Sequence, residues 1–148
     1  MKIQKANKTD VKIISDFQQK MALETENFVL EQETVQAGVK AVFDDKSKGQ
    51  YFVAIQQDII IGSLLITYEW SDWRNSYVVW IQSVYVLPEY RKLGVFKNMY
   101  SFIKQLVADN EIYSGIRLYV DNSNTNAQKV YKKMGMNGNH YKLFESMK

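Results

Sequence analysis

Residues 84–97 read Val-Tyr-Val-Leu-Pro-Glu-Tyr-Arg-Lys-Leu-Gly-Val-Phe-Lys, a stretch in which a strand, a basic turn and a helix are predicted to follow one another. The apolar and aromatic run Tyr77–Leu87 predicts a strand buried on both faces, and Pro88 ends its pairing because proline has no N–H. A basic loop follows, and then a helix is predicted over Gly94–Asp109. Because the first N–H groups of a helix lack partners within it and attract anions, this order predicts a cradle for a phosphate or diphosphate.

The residue types of the loop suit that role. Gly94 lets a phosphate approach the backbone because no Cβ stands in the way, and Arg91, Lys92 and Lys97 add mobile cations. The chain contains neither G-x-x-x-x-G-K-[ST] nor G-x-G-x-x-G, which excludes a P-loop and a dinucleotide fingerprint. Taken alone, the pattern fits an ordinary strand-to-helix turn with solvated charges equally well.

Hydrophobic spacing predicts the other elements. Further strands are predicted over Lys2–Ala6, Tyr51–Gln56, Ile59–Glu69, Ile116–Val120 and Tyr141–Glu145, and further helices from about Val11 to Met21, Glu31 to Asp44 and Thr125 to Met134. Gln57-Asp58 suits a tight hairpin, and Gly62 marks a bulge or a close backbone approach. The order β-α-α-β-β-β-α-β-α-β predicts an α/β chain (an α+β mixed sheet) with helices on both faces. No linker divides it, so a single domain over residues 1–148 is expected.

Composition excludes several classes of protein and site. The chain has 148 residues, no Cys, and one His, His140, so disulfides, thiolate nucleophiles and Cys- or multi-His metal sites are excluded. A net charge of +3 without a block of like charges does not favour nucleic acid as a partner. No apolar run is long enough to span a membrane, and no signal peptide is recognisable. A soluble cytoplasmic protein without a metal, nucleic-acid or membrane partner is therefore expected.

Two motifs carry a family resemblance. Residues 86–95 read V-x-P-x-Y-R-x-x-G-V, which resembles the coenzyme A motif Q/R-x-x-G-x-G/A of the GNAT family of N-acetyltransferases. Residues 124–136 read N-x-x-A-x-x-x-Y-x-x-x-G-M, which is similar to that family's N-x-x-A-x-x-x-Y-x-x-x-G-F segment. The resemblance implies the acyl-CoA N-acyltransferase fold, a mixed and mostly antiparallel sheet splayed between two strands. Phe96 departs from the motif's Gly or Ala, and its ring is expected to turn toward packing.

The resemblance also implies where acetyl-coenzyme A binds. The pantetheine arm would pair with the backbone of the last β-strand residues before the loop, as a peptide does in strand addition. The diphosphate would lie on the helix N-terminus, and Asn124 would contact the pantetheine arm or hold its loop. The implied cofactor residues are Val84, Tyr85, Val86, Arg91, Lys92, Leu93, Gly94, Val95, Phe96, Lys97, Asn124 and Tyr131.

Tyr131 is the implied general acid. A phenol has a reference pKa near 10, close enough to that of a thiol to donate a proton to the leaving sulfur. A base for the attacking amine must come from the carboxylates, and Glu24 and Glu26 are candidates in a loop predicted to follow the first helix. Solvated surface carboxylates, and a core aromatic at position 131, are the simpler readings of these residues.

Acceptor-binding residues are predicted from charge and aromatic character. Carboxylates attract a cationic amine, and a Trp face contacts a cation. The candidates are Glu69, Trp70, Asp72, Gln82 and Tyr119, with Trp73 beside them. The acceptor is expected to be a small-molecule or peptide amine, and its identity, like formation of a homodimer, stays open.

The leading hypothesis is transfer of an acetyl group from acetyl-coenzyme A to a primary amine by direct attack in a ternary complex. A covalent acyl-enzyme is not expected, because the chain has no Cys and only one His to activate a Ser. The alternative is a non-catalytic acyl-coenzyme A sensor or binding module on the same fold. A small basic nucleic-acid binder is the third hypothesis.

Overall fold

A computed structural model describes residues 1–148 of the chain. Its helices are α1 (Val11–Glu26), α2 (Gln32–Asp44), α3 (Val95–Ala108) and α4 (Thr125–Lys133), with short 3₁₀ turns at Lys8–Asp10, Lys46–Lys48 and Pro88–Tyr90. Its strands are β1 (Lys2–Lys5), β2 (Gln50–Gln56), β3 (Ile59–Ser71), β4 (Ser76–Val86) and β5 (Tyr113–Leu118). None of the helices is both long and apolar enough to cross a membrane.

The strands form one mixed sheet in the order β1-β2-β3-β4-β5. The first three pairings are antiparallel, and only β4 and β5 run parallel. Gln57 and Asp58 close the β2–β3 hairpin with positive φ values of 49° and 61°, as a two-residue hairpin turn requires. The predicted mixed and mostly antiparallel sheet is therefore confirmed.

Both faces of the sheet are covered by helices. Tyr51 and Val53 of β2 belong to a core cluster with Ile14 of α1 and Val39 of α2. Phe52, between them on the opposite face, meets the ring of Phe102 on α3 at 5.6 Å. The alternation of side chains along a strand thus assigns α1 and α2 to one face and α3 to the other.

The buried side chains explain why these segments pack where they do. Ile14, Phe17, Phe52, Met99 and Ile103 are all at most 2% exposed. Burying each such side chain contributes about 1.5–3 kcal/mol relative to leaving it in water. The helical spacing of Ile14 and Phe17, and of Met99 and Ile103, directs these residues toward the sheet.

By density of contacts the chain divides into two compact units, Met1–Leu118 and Tyr119–Lys148. The first contains the whole sheet and helices α1 to α3. The second contains α4, which ends as the sequence predicted: Gly135 has φ +88°, and the N–H groups of Gly135 and Met136 donate to the carbonyls of Lys132 and Tyr131. This double hydrogen bond is the Schellman termination of a helix.

Three predicted elements differ from the structure by more than two residues. No strand forms over Tyr141–Glu145, whose side chains are exposed. Strand β5 begins at Tyr113, three residues before the predicted start, because the exposed Ser114 and the Gly115 beside it hide the strand pattern. Helix α1 continues through Glu26, so Glu24 and Glu26 lie on its last turn and not in a loop that follows it.

Gly62 is the point where β3 approaches the end of β4. A Cβ on this residue would lie 2.8 Å from the carbonyl oxygen of Tyr85, and the register of β2 and β3 shifts beside it. The predicted bulge and close backbone approach are therefore both present.

We expect Gly62→Ala to lower the free energy of unfolding by about 1–3 kcal/mol, because backbone must move to admit the methyl group. Gly38→Ala is the matched control: a Cβ there meets no atom within 4 Å. It should raise stability by about 0.5–1 kcal/mol, since alanine is the better residue inside a helix. Urea unfolding of both variants tests the pair, and wild-type stability of Gly62→Ala would contradict the close approach.

Candidate functional site

The end of β4 has hydrogen-bonding partners on one side only. Its pairing with β5 ends at Ile81 and Leu118, whereas its pairing with β3 continues to Val86. Residues 82–86 therefore present backbone groups along an edge that no strand of the sheet covers. An edge of this kind can accept an extended ligand with amide groups.

A β-bulge lies within this edge. Ser83 and Val84 together oppose the single residue Leu64, since Ser63 pairs with Tyr85 and Leu65 with Gln82. Ser83 has a φ of +51°, which is uncommon for a residue with a side chain. Sequence reasoning missed this bulge, because a serine carries no local signal for a left-handed conformation.

The turn after β4 leads directly into helix α3. Lys92 and Gly94 have φ values of +65° and +80°, and a Cβ on Gly94 would meet no atom within 4 Å. The first N–H of α3 with a carbonyl partner four residues back is that of Asn98, which donates to Gly94 O at 3.0 Å. The amides before it point out of the helix N-terminus, where the helix dipole favours negative charge.

Some side chains around this turn pack against the protein, and others are exposed to solvent. Val95 is buried, and the half-buried Phe96 places its ring 6.3 Å from that of Tyr100, one turn further along α3. Lys92, Leu93 and Lys97 are exposed. The ring of Phe96 thus packs along its own helix, and two cations stay accessible beside the helix N-terminus.

Arg91 is held by three groups of the same unit. Its Nε donates to the carbonyl oxygen of Val86 at 2.8 Å, and its Nη2 donates to Glu24 Oε2 at 2.6 Å. Its guanidinium carbon lies 5.3 Å from the centre of the Tyr85 ring. The hydroxyl of Tyr85 donates to the other Glu24 oxygen at 3.0 Å, and its ring packs on Phe17 at 5.0 Å.

This cluster fixes the charge state of its carboxyl. Burial raises the pKa of the Glu24 carboxyl, but hydrogen bonds from Arg91 and Tyr85 outweigh it, so the pKa lies below its usual value. Burial and the hydrogen bond to Glu24 raise the pKa of the Tyr85 phenol. Glu24 is therefore ionised at neutral pH with both oxygens already accepting hydrogen bonds, which disfavours proton abstraction by this carboxylate.

Two predicted acceptor residues already have partners within the sheet. Glu69 of β3 forms an ion pair with Arg117 of β5, and the amide of Gln82 donates to Thr67 Oγ1 at 2.6 Å. Both Arg117 and Thr67 escaped sequence reasoning, because their pairing arises from strand order and register. The paired Glu69 offers less uncompensated charge to an amine than an isolated carboxylate would.

The remaining acceptor candidates of the first unit lie at the β3–β4 hairpin tip. Trp70 packs edge-on against Tyr77 at 5.0 Å, Asp72 accepts from the N–H of Trp73, and Trp73 is 91% exposed. Trp70 is five residues from Leu65, the strand partner of Gln82, which corresponds to about 17 Å along the sheet. The structure therefore does not bring the hairpin tip together with Gln82 in one small pocket.

The second unit carries the other predicted residues. The side chain of Asn124 accepts a hydrogen bond from the N–H of Ala127 at 3.1 Å, which makes it the N-cap of α4. Burial raises the pKa of the Tyr131 phenol above its usual value near 10, so this half-buried hydroxyl keeps its proton at neutral pH. Tyr119 is 54% exposed.

Comparison with known proteins decides the family. The model of the acetyltransferase (GNAT) family matches residues 16–136, which include β2 to β5 and α2 to α4. The chain belongs to the GNAT family. Among curated proteins, none matches this GNAT chain.

Solved structures agree with that membership. A "possible acetyltransferase" from Clostridium difficile 630 is 38% identical, with a TM-score of 0.92 over 99% of this chain and 96% of the other. A "predicted acetyltransferase with acetyl-CoA" from Clostridium acetobutylicum is 17% identical, with a TM-score of 0.77 over 98% and 95%. An aminoglycoside acetyltransferase from an uncultured soil metagenomic sample, in complex with sisomicin, is 16% identical, with a TM-score of 0.75 over 99% and 96%.

Family membership makes this GNAT chain an acyltransferase. The family is one of acetyltransferases, which use acetyl-coenzyme A. The chain contains no group of three or more His, Cys, Asp or Glu side chains able to hold a metal ion. The features that suit an acyl-coenzyme A are the open edge of β4 and the left-handed glycine at the start of α3.

We expect Asn124→Ala to destabilise α4 by about 1 kcal/mol, because the N–H of Ala127 in the first turn loses its side-chain acceptor. Asn126→Ala is the matched control, since this exposed neighbour lies inside the helix and makes no capping bond. Amide hydrogen exchange of α4 measures the difference. Equal protection in both variants would show that Asn124 is not a necessary cap.

Proposed function

We propose that the protein is an N-acetyltransferase that moves the acetyl group of acetyl-coenzyme A to a primary amine by direct attack in a ternary complex. One observation carries the proposal. The edge of β4 at residues 82–86, which has no partner strand on the β5 side, is followed after one turn by the left-handed Gly94 and the N-terminus of α3. The pantetheine arm of coenzyme A carries two amides and is joined to a diphosphate. The amides suit the strand edge and the diphosphate suits the helix N-terminus, in the same order along the ligand as along the chain. The family match over residues 16–136 supports the same conclusion.

Each part of the cradle has a proposed role in binding. The backbone groups along Val84–Val86 that face the open edge pair with the amides of the pantetheine arm, whereas the carbonyl of Tyr85 faces β3 beside Gly62. The diphosphate lies on the amides of residues 92–97, where the helix dipole and the cations Lys92 and Lys97 stabilise its charge. Gly94 fits this position because a Cβ there would stand in open space that the proposal assigns to a phosphate.

Direct attack follows from the side chains that the chain has. Acetyl-coenzyme A supplies an activated thioester, and no Cys is present to take the acetyl group onto the enzyme. We propose that the Tyr131 hydroxyl donates its proton to the sulfur as the carbon–sulfur bond breaks. Its raised pKa keeps that proton available at neutral pH, and general acid catalysis of this kind contributes about 10²–10⁴-fold. The motif around residues 124–136 supports the assignment.

The attacking amine must lose a proton before or during attack. Of the two carboxylates proposed for this step, Glu26 is exposed on the last turn of α1. Glu24 is engaged with Arg91 and Tyr85. Glu26, directly or through a water, is therefore the base that we propose.

For the acceptor we propose a cationic amine of a small molecule or a peptide. Asp72 and the aromatic residues Trp70 and Trp73 at the hairpin tip offer negative charge and ring faces to such a group. Tyr119 and Gln82 remain proposed polar contacts, and because Gln82 lies about 17 Å from Trp70 along the sheet, only an extended acceptor would reach both Gln82 and the hairpin tip. We also propose that residues 1–148 act as one functional domain, because the family match continues across the boundary at residue 118.

Thiol release tests the proposed reaction. Incubation with acetyl-coenzyme A and a panel of polyamines, amino sugars, amino acids and peptides should release free coenzyme A with at least one acceptor, detected with a thiol reagent. The control omits the amine. Tight binding of acetyl-coenzyme A without release for any acceptor would favour a non-catalytic acyl-coenzyme A module.

Tyr131→Phe tests the acid. The variant should bind coenzyme A as the wild type does and lose at least about tenfold in turnover, because only the donated proton is removed. Tyr141→Phe, which removes an exposed phenol from the same unit, is the control and should retain full turnover. Unchanged turnover in Tyr131→Phe would remove this residue from the mechanism.

A further inference from the structure

The carbonyl of Val86 faces the open edge of β4. The N–H of Leu87 donates to Ile61 O on β3 at 2.9 Å, and it belongs to the same peptide group as the carbonyl of Val86. In a trans peptide the N–H and C=O point in opposite directions, and the chain has no cis peptide bond. The Val86 oxygen therefore points away from β3, along the edge that the pantetheine arm would use.

That oxygen is already engaged by Arg91. The guanidinium reaches back over five residues to donate from Nε to Val86 O at 2.8 Å. A pantetheine amide that pairs with the same carbonyl needs this position for its own N–H. A carbonyl oxygen can accept two hydrogen bonds, so the side chain of Arg91 and the arm of coenzyme A compete for the space beside this oxygen along the open edge.

Glu24 stabilises Arg91 in that position. Its Oε2 accepts from Arg91 Nη2 at 2.6 Å, and its Oε1 is oriented by the hydroxyl of Tyr85 at 3.0 Å. The Tyr85 ring, fixed against Phe17, also lies under the guanidinium. Charged hydrogen bonds of this kind are stronger than neutral ones, and the planar fork of arginine lets Nε and Nη2 bind two acceptors at once.

We infer that Glu24 is a positioning residue that holds Arg91 across the edge of β4, so that coenzyme A must displace the guanidinium from Val86 in order to bind. The inference rests on the proposed function and deepens it by assigning Glu24 a role other than the base. The displaced guanidinium is freed beside the diphosphate turn, where it gains a new anionic partner. Glu24 thereby sets the balance between two states of the β4 edge. In one, which we call the latch, Arg91 binds Val86 and Glu24; in the other, coenzyme A occupies the edge.

Glu24→Gln tests the latch, with the dissociation constant of coenzyme A measured by titration calorimetry. The variant should bind coenzyme A about two- to fivefold more tightly than the wild type, the range expected when an exposed ion pair no longer opposes displacement. Glu26→Gln is the matched control: it removes the same charge from the same helix turn, but Glu26 does not contact Arg91. The gain in Glu24→Gln must exceed that in Glu26→Gln.

A double-mutant cycle shows whether the effect passes through Arg91. In an Arg91→Ala background, Glu24→Gln should no longer strengthen binding, because no guanidinium remains to be held. Tyr85→Phe, which keeps the ring and removes the hydroxyl, should tighten binding in the same direction by a smaller factor. In steady-state kinetics the change should appear in the KM for acetyl-coenzyme A.

The outcomes separate this inference from the function on which it rests. If wild-type protein binds no coenzyme A, the proposed function itself fails. If the wild type binds but Glu24→Gln binds equally or more weakly, or tightens equally in the Arg91→Ala background, the latch is overturned. A fall in kcat of about a hundredfold in Glu24→Gln with an unchanged dissociation constant would instead return Glu24 to the role of base.

Discussion

Strand β4 pairs with β3 as far as Val86, with a bulge at Ser83 and Val84, but it pairs with β5 only as far as Ile81. Backbone N–H and C=O groups left without partners cost free energy when they are buried, so an edge of this kind needs a partner. Here the carbonyl of Val86 finds one in the side chain of Arg91. The proposed binding of coenzyme A exchanges that internal partner for the amides of a ligand.

The turn between β4 and α3 carries several positive charges, and one of them, that of Arg91, is balanced by a carboxylate. The dipole of α3 and the exposed Lys92 and Lys97 favour an anion, while Arg91 is compensated by Glu24. Both side chains of this pair are about 40% exposed (42% and 39%), so the interaction is modest and easily broken. Such a pair can hold a side chain in place without preventing a ligand from displacing it.

The fold was predictable to a large extent and the site only in part. Elements with a strong pattern of apolar residues, such as β3 and α3, lie within two residues of their predicted ends, because the spacing of apolar residues within one element is a local property. The predicted strand over Tyr141–Glu145 does not form. A short apolar run has only a weak preference for the strand conformation, and a strand also needs a partner strand to pair with. The ion pairs of Glu24 and Glu69 join residues 67 and 48 positions apart, and no local pattern announces them.

From the sequence alone came the order of the elements as far as α4, the glycine at the start of α3, the lack of a thiol and the resemblance to the GNAT family. These features follow from the identity of single residues and from the spacing of residues within one element, and both are local properties of the chain. The tertiary structure was needed to show that Ser83 lies in a bulge and that Arg91 closes on the edge of β4 beside Glu24. Those outcomes depend on register and on contacts between distant segments, which form only when the sheet assembles.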